Sequence, residues 1–305
     1  MPDKDNQDFR AKILMVIPLY NHGRTVRTVV TRALDAGWPV LVVDDGSTDG
    51  GLQTIADLPC ETHRLVPNQG KGVAIQAAAK IAAESGYNAI IAVDADNQHD
   101  PSEAVLLADA AQEMPAIVIG ARRMVQDTVP RASLFGRAFS NFWVRLECGQ
   151  DLPDTQSGFR LYPVQELLDL KIRSKRYAFE VEVLARAAWA GIPIRSVPVS
   201  VHYPPREERA SHFHQIKDNF RLTVLHTNLV LRALNPWPHK RLMECPRESV
   251  ELSKPGVSIF HPVKLLKRIC LEHSSAFQLA VAVWMGIFLG ALPLIAIHTV
   301  VIVYV

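Results

Sequence analysis

The sequence predicts an α/β fold with a doubly wound sheet, followed by a C-terminal α-helical membrane segment. Three observations predict this arrangement. Short apolar runs alternate with amphipathic stretches over residues 1–120. Hydrophobic residues make up 48% of the 305 residues and charged residues 21%, which excludes a disordered chain and a disulfide-stapled mini-protein. Residues 276–305 contain no Asp, Glu, Lys or Arg, and about 20 apolar residues are enough to cross a bilayer as a helix.

Continuous apolar runs predict the strands, because strands of a parallel sheet are covered on both faces. The predicted strands are Ile13–Pro18, Val40–Val43, Ala89–Val93, Ala116–Ile119 and the shorter Ile194–Val201. Amphipathic stretches between and after them predict helices over Thr25–Ala36, Gly50–Ala56, Val73–Ser85, Pro101–Glu113, Ser133–Gly149, Tyr177–Ala190 and Gln215–Leu234. This alternation predicts a Rossmann-like sheet with right-handed crossovers, which binds its ligands where polar residues follow the strand ends.

The domain organisation follows from composition. Residues 1–234 are predicted to form one globular domain, and the proline-containing stretch 235–260 a linker. Residues 261–305 are predicted to form a basic juxtamembrane helix and an apolar transmembrane segment, either one span or a hairpin broken at Pro293. Lys264, Lys267 and Arg268 place the preceding segment on the cytoplasmic side. The chain ends inside an apolar run, so a truncated membrane segment is one interpretation.

Charge and cysteine content exclude several classes of protein. The formal net charge of +2 is too small to indicate a nucleic-acid partner. The four cysteines are scattered without a CxxC pair, which predicts a reducing compartment and no structural metal. The polar N-terminus lacks an apolar signal core, so the first domain is expected in the cytoplasm, at the cytoplasmic membrane.

Three acidic clusters follow predicted strands or lie close to them. They are Asp44–Ser47, Asp94–Gln98 and Asp154–Arg160. A single carboxylate at a strand end can simply cap a helix or form a turn. Asp94 and Asp96, however, stand at positions i and i+2 after a strand, which puts both carboxylates on one side, a disposition that suits a hard divalent cation. Mg²⁺ or Mn²⁺ held this way can neutralise a diphosphate leaving group.

Seven motifs in order carry a resemblance to a known family. They are IPLYN (17–21), DDGSTDG (44–50), NQGKG (68–72), DADNQHDP (94–101), GAR (120–122), DTQSGFR (154–160) and SHF (211–213). Over residues 11–215 the chain resembles the family 2 glycosyltransferases of the GT-A fold, in the branch of polyprenyl- or dolichyl-phosphate sugar synthases. The start of the apolar C-terminal segment resembles a small prokaryotic membrane domain of the DUF2062 type. The resemblance implies an inverting, metal-dependent transfer from a nucleotide-diphosphate sugar to a membrane lipid.

The resemblance also implies roles for individual residues. Donor-binding residues would be Pro18, Tyr20, Asn21, Asp44, Asp45, Gly70, Lys71, Asp94, Gln98, Ser211 and His212. Metal ligands would be Asp94, Asp96 and Gln98, and the catalytic set Asp96, Arg122, Asp154 and Gln156. Arg122 would face the diphosphate, while Asp154 and Gln156 would belong to the acceptor side. Either Arg131 or Arg137 would meet an acceptor phosphate. His22 departs from the family pattern, which often has Glu at this place.

Alternatives remain for the acceptor and for activity itself. A phosphate acceptor such as polyprenyl phosphate is already ionised and needs no general base, whereas a hydroxyl acceptor would make Asp154 the best candidate base. A non-catalytic membrane scaffold is a further alternative, which the intact Asp94, Asp96, Gln98 and Asp154 disfavour. A nucleotidyltransferase would want a glycine-rich basic loop after the first strand, where this chain has PLYNHG. The sugar and the choice between UDP and GDP stay open.

Overall fold

Seven strands form one sheet in the computed structural model, which describes residues 10, 12–111, 115–123, 131–202, 215–234 and 239–243. The strands are β1 (Ile13–Leu19), β2 (Val40–Asp44), β3 (Glu61–Arg64), β4 (Ala89–Ala92), β5 (Ile117–Arg122), β6 (Arg160–Pro163) and β7 (Ile194–Val199). Their order across the sheet is β3-β2-β1-β4-β6-β5-β7. All five predicted strands are therefore present, and β3 and β6 are additional to them.

The sheet is mixed, which corrects the expectation of parallel strands throughout. The pairs β1–β2, β1–β4, β2–β3 and β5–β7 are parallel, whereas β6 runs antiparallel to both of its neighbours, β4 and β5. The β6 sequence, RLYP, is only four residues long and begins with a buried arginine. Such a segment gives no extended apolar run, so its pairing depends on the strands on either side of it.

Seven α-helices are described alongside the sheet. They are α1 (Val26–Asp35), α2 (Lys71–Glu84), α3 (Ala104–Ala111), α4 (Arg131–Cys148), α5 (Val164–Asp169), α6 (Ala178–Ala190) and α7 (Gln215–Leu234). The predicted helix Gly50–Ala56 is a 3₁₀ helix over Gly51–Ile55, and the predicted helix at Pro101 begins as a 3₁₀ turn before α3. The short helix α5 was not predicted. The helical predictions are otherwise correct to within about two residues at most ends, the usual uncertainty of a helix boundary.

The apolar faces of strands and helices meet in one core. From the sheet, Ile13, Met15 and Ile17 of β1 are fully buried, and from α1 the side chains of Val26 and Val29 are fully buried in the same cluster. Burying each such side chain contributes about 1.5–3 kcal/mol relative to leaving it exposed. The core therefore anchors β1, β2 and β4 as a rigid base for the loops that leave their ends.

The described residues fall into two structural units. The first contains the whole sheet with α1–α6 and residues 239–243, and the second contributes α7. No helix in the described ranges combines the length and apolarity that a membrane crossing requires. The predicted membrane segment, residues 261–305, lies outside those ranges, and the DUF2062 resemblance and the span remain predictions.

Candidate active site

The predicted site residues gather at one edge of the sheet, because the carboxyl ends of β1, β2, β4 and β5 all point there. The reversed direction of β6 brings the segment before it to the same edge. Arg160, the first residue of β6, pairs with Ala92, the last residue of β4. The acceptor-side motif, residues 154–160, therefore lies beside Asp94, although the two are distant in sequence. Gly158 lies so close to Asp94 and Lys71 that a Cβ added to it would be 2.5 Å from the Lys71 Nζ atom.

The loops after β1 and β2 are joined to each other. Pro18 lies in β1 in register with Val43, and Tyr20 and Asn21 follow the strand. The Asn21 backbone N–H donates to Ser47 Oγ (3.0 Å), and its side-chain oxygen accepts from the Thr48 backbone N–H (2.8 Å). Asn21 holds this position with a left-handed φ of 52°. The predicted base-binding residues thus form one connected rim at the ends of β1 and β2.

Asp44 and Asp45 both organise backbone at this rim. Asp44 is buried, and its Oδ1 accepts from the Ser47 backbone N–H (2.9 Å) while its Oδ2 lies 3.2 Å from Arg64 Nε. Asp45 accepts from the backbone N–H groups of Gln69 (2.7 Å) and Gly70 (2.6 Å). Burial raises the pKa of Asp45 above its usual value. Asp45 therefore fastens the NQGKG loop to the end of β2, and its predicted contact with the donor stays a prediction.

The same loop is held from its other side by residues 174–176. Gly70 has a φ of 99°, and a Cβ there would lie 2.5 Å from Arg176 Cγ. The Gly72 backbone N–H donates to the Lys175 carbonyl (2.8 Å). Only glycine fits at Gly70, since other residues rarely adopt this conformation and have no space for a side chain. The start of α2, which carries Lys71, is consequently fixed.

Lys71 lies between two carboxylates. Its Nζ is 2.6 Å from Asp94 Oδ1 and 2.6 Å from Glu180 Oε1. Burial alone would lower the pKa of Lys71, but the two carboxylates outweigh it and raise the pKa above its usual value. Burial likewise opposes ionisation of Asp94, yet the Lys71 ammonium holds the pKa of Asp94 below its usual range. Lys71 and Asp94 are therefore both charged at neutral pH.

Asp96 and Gln98 follow Asp94 in the loop after β4. Asp96 Oδ1 accepts from the Gln98 backbone N–H (3.0 Å). Burial and the charge of Asp94 raise the pKa of Asp96 to about 6. The negative charges of Asp94 and Asp96 repel each other. A hard divalent cation that binds oxygens of both carboxylates would relieve this repulsion.

The donor set fits a divalent cation, but only as part of a coordination shell. Among the described residues, no group of three or more His, Cys, Asp and Glu side chains is placed to hold a metal ion. Mg²⁺ is usually bound by one or two carboxylates together with substrate phosphates. Asp94 and Asp96, with the Gln98 amide, match that incomplete shell, which a nucleotide diphosphate would complete.

Asp154, the first residue of the acceptor-side motif, forms a bidentate ion pair with Arg122. The Arg122 Nε donates to Asp154 Oδ2 (2.7 Å), and Nη2 donates to Oδ1 (2.9 Å). Asp154 is completely buried, and burial alone would raise its pKa, but the Arg122 guanidinium holds the pKa below its usual range. The Gln156 backbone N–H also donates to Asp154 Oδ1 (3.2 Å). Both oxygens of Asp154 are therefore occupied.

Arg137, of α4, approaches the same pair. Its Nη1 lies 3.4 Å from the Arg122 carbonyl, to which it donates. Among the described residues, Arg137 forms no ion pair with a carboxylate. Arg131 begins α4. The structure thus brings Arg137 next to Arg122, and the contact of Arg131 or Arg137 with an acceptor phosphate stays a prediction.

Buried Arg160 ties the acceptor-side motif to α6. It is fully buried and donates to the carbonyls of Ser157 (2.7 Å), Thr155 (2.8 Å) and Glu180 (2.8 Å). An arginine inside a protein needs such partners, because an unpaired buried charge is strongly destabilising. Arg160 therefore has a structural role that fixes the backbone of the acceptor-side motif.

Sequence reasoning missed two buried residues, Glu180 and His99. Glu180 lies in the first turn of α6, and the available signal was a carboxylate within the apolar sequence AFEVEV, since a buried charge needs a partner. His99 is buried, its ring centroid is 5.3 Å from that of Phe159, and burial lowers its pKa to about 4. Its Nδ1 has no hydrogen-bond partner within the described part of the chain. The predicted donor contacts Ser211 and His212 lie outside the described residues.

Comparisons with known proteins identify the family and the relatives that this chain resembles. The model of the Glycosyl transferase family 2 matches residues 15–166. The chain is 31% identical over 203 residues to the polyprenol monophosphomannose synthase of Mycolicibacterium smegmatis, covering 62% of this chain and 77% of that one. It is 30% identical over 202 residues to the undecaprenyl-phosphate mannosyltransferase of Micrococcus luteus, covering 62% and 83%.

A solved structure shares the fold. The glucosyl-3-phosphoglycerate synthase of Mycobacterium tuberculosis, determined with Mn²⁺, UDP and phosphoglyceric acid, superposes with a TM-score of 0.56 at 19% identity. The match covers 78% of this chain and 85% of that one. At this identity the likeness shows the fold alone, and that fold is the GT-A arrangement expected from the motifs.

Proposed function

The chain belongs to glycosyltransferase family 2, and from that premise we propose that this enzyme transfers a sugar from a UDP-sugar or a GDP-sugar to polyprenyl phosphate, with inversion at the anomeric carbon. In the proposed reaction a phosphate oxygen of the acceptor forms a bond to the anomeric carbon. The bond from that carbon to the diphosphate breaks, and the nucleoside diphosphate leaves with the electron pair. The products are a polyprenyl-phosphate sugar and UDP or GDP.

The state of Asp154 is the observation that carries the choice of acceptor. A hydroxyl acceptor needs a general base, and a base must have an oxygen within reach of the proton that it removes. Both oxygens of Asp154 accept hydrogen bonds from Arg122, and the pair holds the pKa of Asp154 below its usual range. A phosphate acceptor carries its negative charge already, so the reaction does not require Asp154 as a base. The two relatives are named for polyprenol or undecaprenyl-phosphate chemistry, which also supports a lipid phosphate as the acceptor.

The cationic residues of the acceptor side fit this acceptor. Asp154 orients the Arg122 guanidinium, and two guanidinium nitrogens are used for that purpose. Arg137 lies beside it with no carboxylate partner in the described ranges. Arginine binds phosphate oxygens well because its planar fork donates several hydrogen bonds. We assign to Arg122 a contact with the diphosphate of the donor and to Arg137 a contact with the phosphate of the acceptor.

The donor side fits a nucleotide diphosphate with a divalent cation. Asp94, Asp96 and Gln98 would hold Mg²⁺ or Mn²⁺, whose chemical contribution when bound is to neutralise the charge that develops on the leaving diphosphate. Lys71 lies 2.6 Å from Asp94, so a second positive charge is present at the same place. The rim formed by Pro18, Tyr20, Asn21 and Asp44 would receive the base. The presence of Mn²⁺ and UDP in the solved relative supports this assignment.

A pair of matched acceptors tests the proposal. Purified full-length protein is incubated with Mn²⁺, with UDP- or GDP-sugars in separate reactions, and with either undecaprenyl phosphate or undecaprenol. We expect release of UDP or GDP and a lipid-linked sugar with undecaprenyl phosphate only, because the two lipids differ in the ionised phosphate alone. Product formed from undecaprenol at a comparable rate would contradict the phosphate acceptor, and no product from any donor would contradict the whole proposal.

We also propose that residues 261–305 tether the catalytic domain to the cytoplasmic membrane, with that domain on the cytoplasmic side. The absence of charge from residues 276–305 and the basic residues Lys264, Lys267 and Arg268 support this proposal. Sedimentation with anionic vesicles tests it. Full-length protein should pellet, whereas a chain ending at Leu234 should stay in the supernatant and still bind UDP or GDP. Full-length protein that remains in the supernatant would contradict the tether.

A further inference from the structure

Glu180 lies at the donor side of the site, yet it belongs to none of the seven motifs. Its Oε1 is 2.6 Å from Lys71 Nζ, and its side chain is 10% exposed. Lys71 Nζ is at the same distance, 2.6 Å, from Asp94 Oδ1. One ammonium group is therefore shared between a carboxylate that fits a metal ion and a carboxylate on another helix.

The position of Glu180 does not depend on its contact with Lys71. Its backbone carbonyl accepts from Arg160 Nη1 (2.8 Å). Phe179, the preceding residue, packs against Gly72 so closely that a Cβ on Gly72 would lie 2.6 Å from Phe179 Cβ. The first turn of α6 is thus fixed against the start of α2 by backbone and ring contacts. A change confined to the Glu180 carboxylate should leave this framework intact.

We infer that Glu180 is a positioning residue that acts through Lys71 and controls how strongly Lys71 competes with a divalent cation for Asp94. With Glu180 ionised, the Lys71 ammonium keeps a carboxylate partner when a cation takes the Asp94 oxygens. Without that charge, Asp94 is the only carboxylate among the described residues that contacts Lys71, and the cation must break the pair. The inference rests on the proposed function, since Asp94 is a metal ligand only in that proposal.

Glu180→Gln is the variant that isolates the charge. Glutamine has the same shape and still offers an oxygen to Lys71, so the fold and the helix packing should be kept. We expect the dissociation constant for Mn²⁺ to rise about tenfold, as is typical when a partner of a metal ligand is changed. The turnover rate at saturating Mn²⁺ should change far less, because Glu180 contacts Lys71 rather than the reacting atoms.

The matched control is Glu182→Gln, on the same helix. Glu182 is also buried, but its carboxylate accepts from the Ser174 backbone N–H (2.8 Å) and pairs with Arg186. Loss of this charge should lower stability without changing Mn²⁺ affinity. Glu182→Gln therefore separates the loss of a buried carboxylate from the loss of the contact with Lys71.

The measurement is free Mn²⁺, followed by its electron paramagnetic resonance signal during titration of the full-length protein. The titration is done with Mn²⁺ alone and with UDP or GDP, in the absence of sugar and acceptor. It includes the wild type, Glu180→Gln, Glu182→Gln, Lys71→Gln and the double variant of Lys71 and Glu180. We expect Glu180→Gln to weaken binding in the wild-type background but to have less than about a twofold effect in the Lys71→Gln background, because coupled residues are not additive.

The outcomes separate the inference from the proposed function. Equal Mn²⁺ affinity of wild type and Glu180→Gln would overturn the inference alone. The same holds if Glu180→Gln acts equally in the Lys71→Gln background, or if Glu182→Gln weakens binding as much. If the wild type binds no Mn²⁺ even with UDP or GDP, the metal site of the proposed function fails, and the inference fails with it.

Discussion

The two ion-pair systems of the site differ in how many partners share the positive charge. On the donor side, the Lys71 ammonium is divided between Asp94 and Glu180, at 2.6 Å from each. On the acceptor side, the Arg122 guanidinium is bound by Asp154 through two parallel hydrogen bonds of 2.7 and 2.9 Å. Lysine is a compact charge on a flexible stem, whereas arginine is a planar fork that matches a carboxylate. The chemistry of each side chain therefore suits its arrangement.

This difference separates a carboxylate that is available from one that is committed. Asp94 has a 29% exposed side chain, and in the inferred role it exchanges Lys71 for a divalent cation while Lys71 stays with Glu180. Asp154 is completely buried, and both of its oxygens are used by Arg122. A ligand for an exchangeable metal ion needs the first arrangement. A residue that fixes an arginine toward a phosphate needs the second.

The largest effect is expected when the committed pair is broken. Asp154→Asn removes the carboxylate that pairs with Arg122, whose side chain is 13% exposed, and breaking a buried ion pair in this way typically destabilises a protein by about 3–5 kcal/mol. We expect the free energy of unfolding, measured in urea, to fall by about this amount. The control is Asp151→Asn, whose side chain is 82% exposed and 3.7 Å from Arg145. If both variants unfold at the same urea concentration, Asp154 does not have the structural role described here.

A double variant sharpens the same contrast. Replacing the pair by apolar residues, as in Arg122→Met with Asp154→Leu, removes both buried charges together. Buried pairs replaced in this way often keep or regain stability. We expect unfolding near the wild-type midpoint but no sugar transfer, because the guanidinium proposed to contact the donor diphosphate is lost. A double variant that retained transfer would show that Arg122 has no role in the reaction.

At the predicted metal site, Asp96→Asn should remove activity while the fold is kept. The variant loses one charged ligand of the proposed metal site but no ion pair among the described residues. We expect turnover at fixed Mn²⁺ to fall by about a hundredfold or more. The control in the same loop is Asp100→Asn, since Asp100 pairs with Arg32 and caps the 3₁₀ turn instead. Full activity of Asp96→Asn, or activity in excess EDTA, would contradict the metal assignment.

A smaller effect is expected from Gly158→Ala, which disturbs the contact between the two sides. The added methyl group would meet both the Asp94 carboxylate and the Lys71 ammonium. We expect Mn²⁺ affinity to fall about tenfold, within the range seen when the surroundings of metal ligands are changed. Gly51→Ala serves as the control, because the atoms nearest to its added Cβ are 3.3 Å away and belong to neither Asp94 nor Lys71. Equal Mn²⁺ affinity in the two variants would show that the site tolerates movement here.

The smallest effect is expected for another bidentate ion pair, which lies at the surface. Arg27 donates to Asp57 through two hydrogen bonds of 2.6 and 2.7 Å, and the hydrogen bond from Arg27 lowers the pKa of Asp57 to about 2. Water and salt screen this pair, because the two side chains are 48% and 65% exposed. Asp57→Asn should not change the thermal unfolding midpoint measurably at neutral pH. A clear loss of stability would mean that bidentate geometry, rather than burial, determines the strength of such pairs here.

The sequence predicted the elements that depend on local pattern. The core strands β1, β2 and β4 are continuous apolar runs, and such runs are read directly. β3, with the exposed sequence ETHR, forms at the sheet edge through pairing with β2, and β6 forms between two strands distant in sequence. Neither carries a local signal, because tertiary pairing determines both.

The same distinction applies to the site. Asp94 and Asp96 were identified because their spacing after an apolar run has a direct geometric meaning. The contact of Lys71 with Glu180 joins residues 71 and 180, and the pair of Arg122 with Asp154 joins residues 122 and 154. Spacing along the chain does not predict which of several carboxylates a buried cation will contact. The family resemblance identified three of these four residues, and Glu180 required the structure.

The placement of β6 determines the order in which the protein can assemble. β6 lies between β4 and β5, and its first residue pairs with residue 92. Both neighbouring strands must therefore be in place before β6 can pair with the two of them. Forming contacts between such distant segments is slow, because the entropy of loop closure must be overcome first. We therefore expect amides of β1, β2 and β4 to gain protection from hydrogen exchange early in refolding, and those of β6 last. The rim at the ends of β1 and β2, which we propose to bind the nucleotide, would then exist before the acceptor-side motif, and a refolding chain should bind UDP or GDP before it can transfer a sugar.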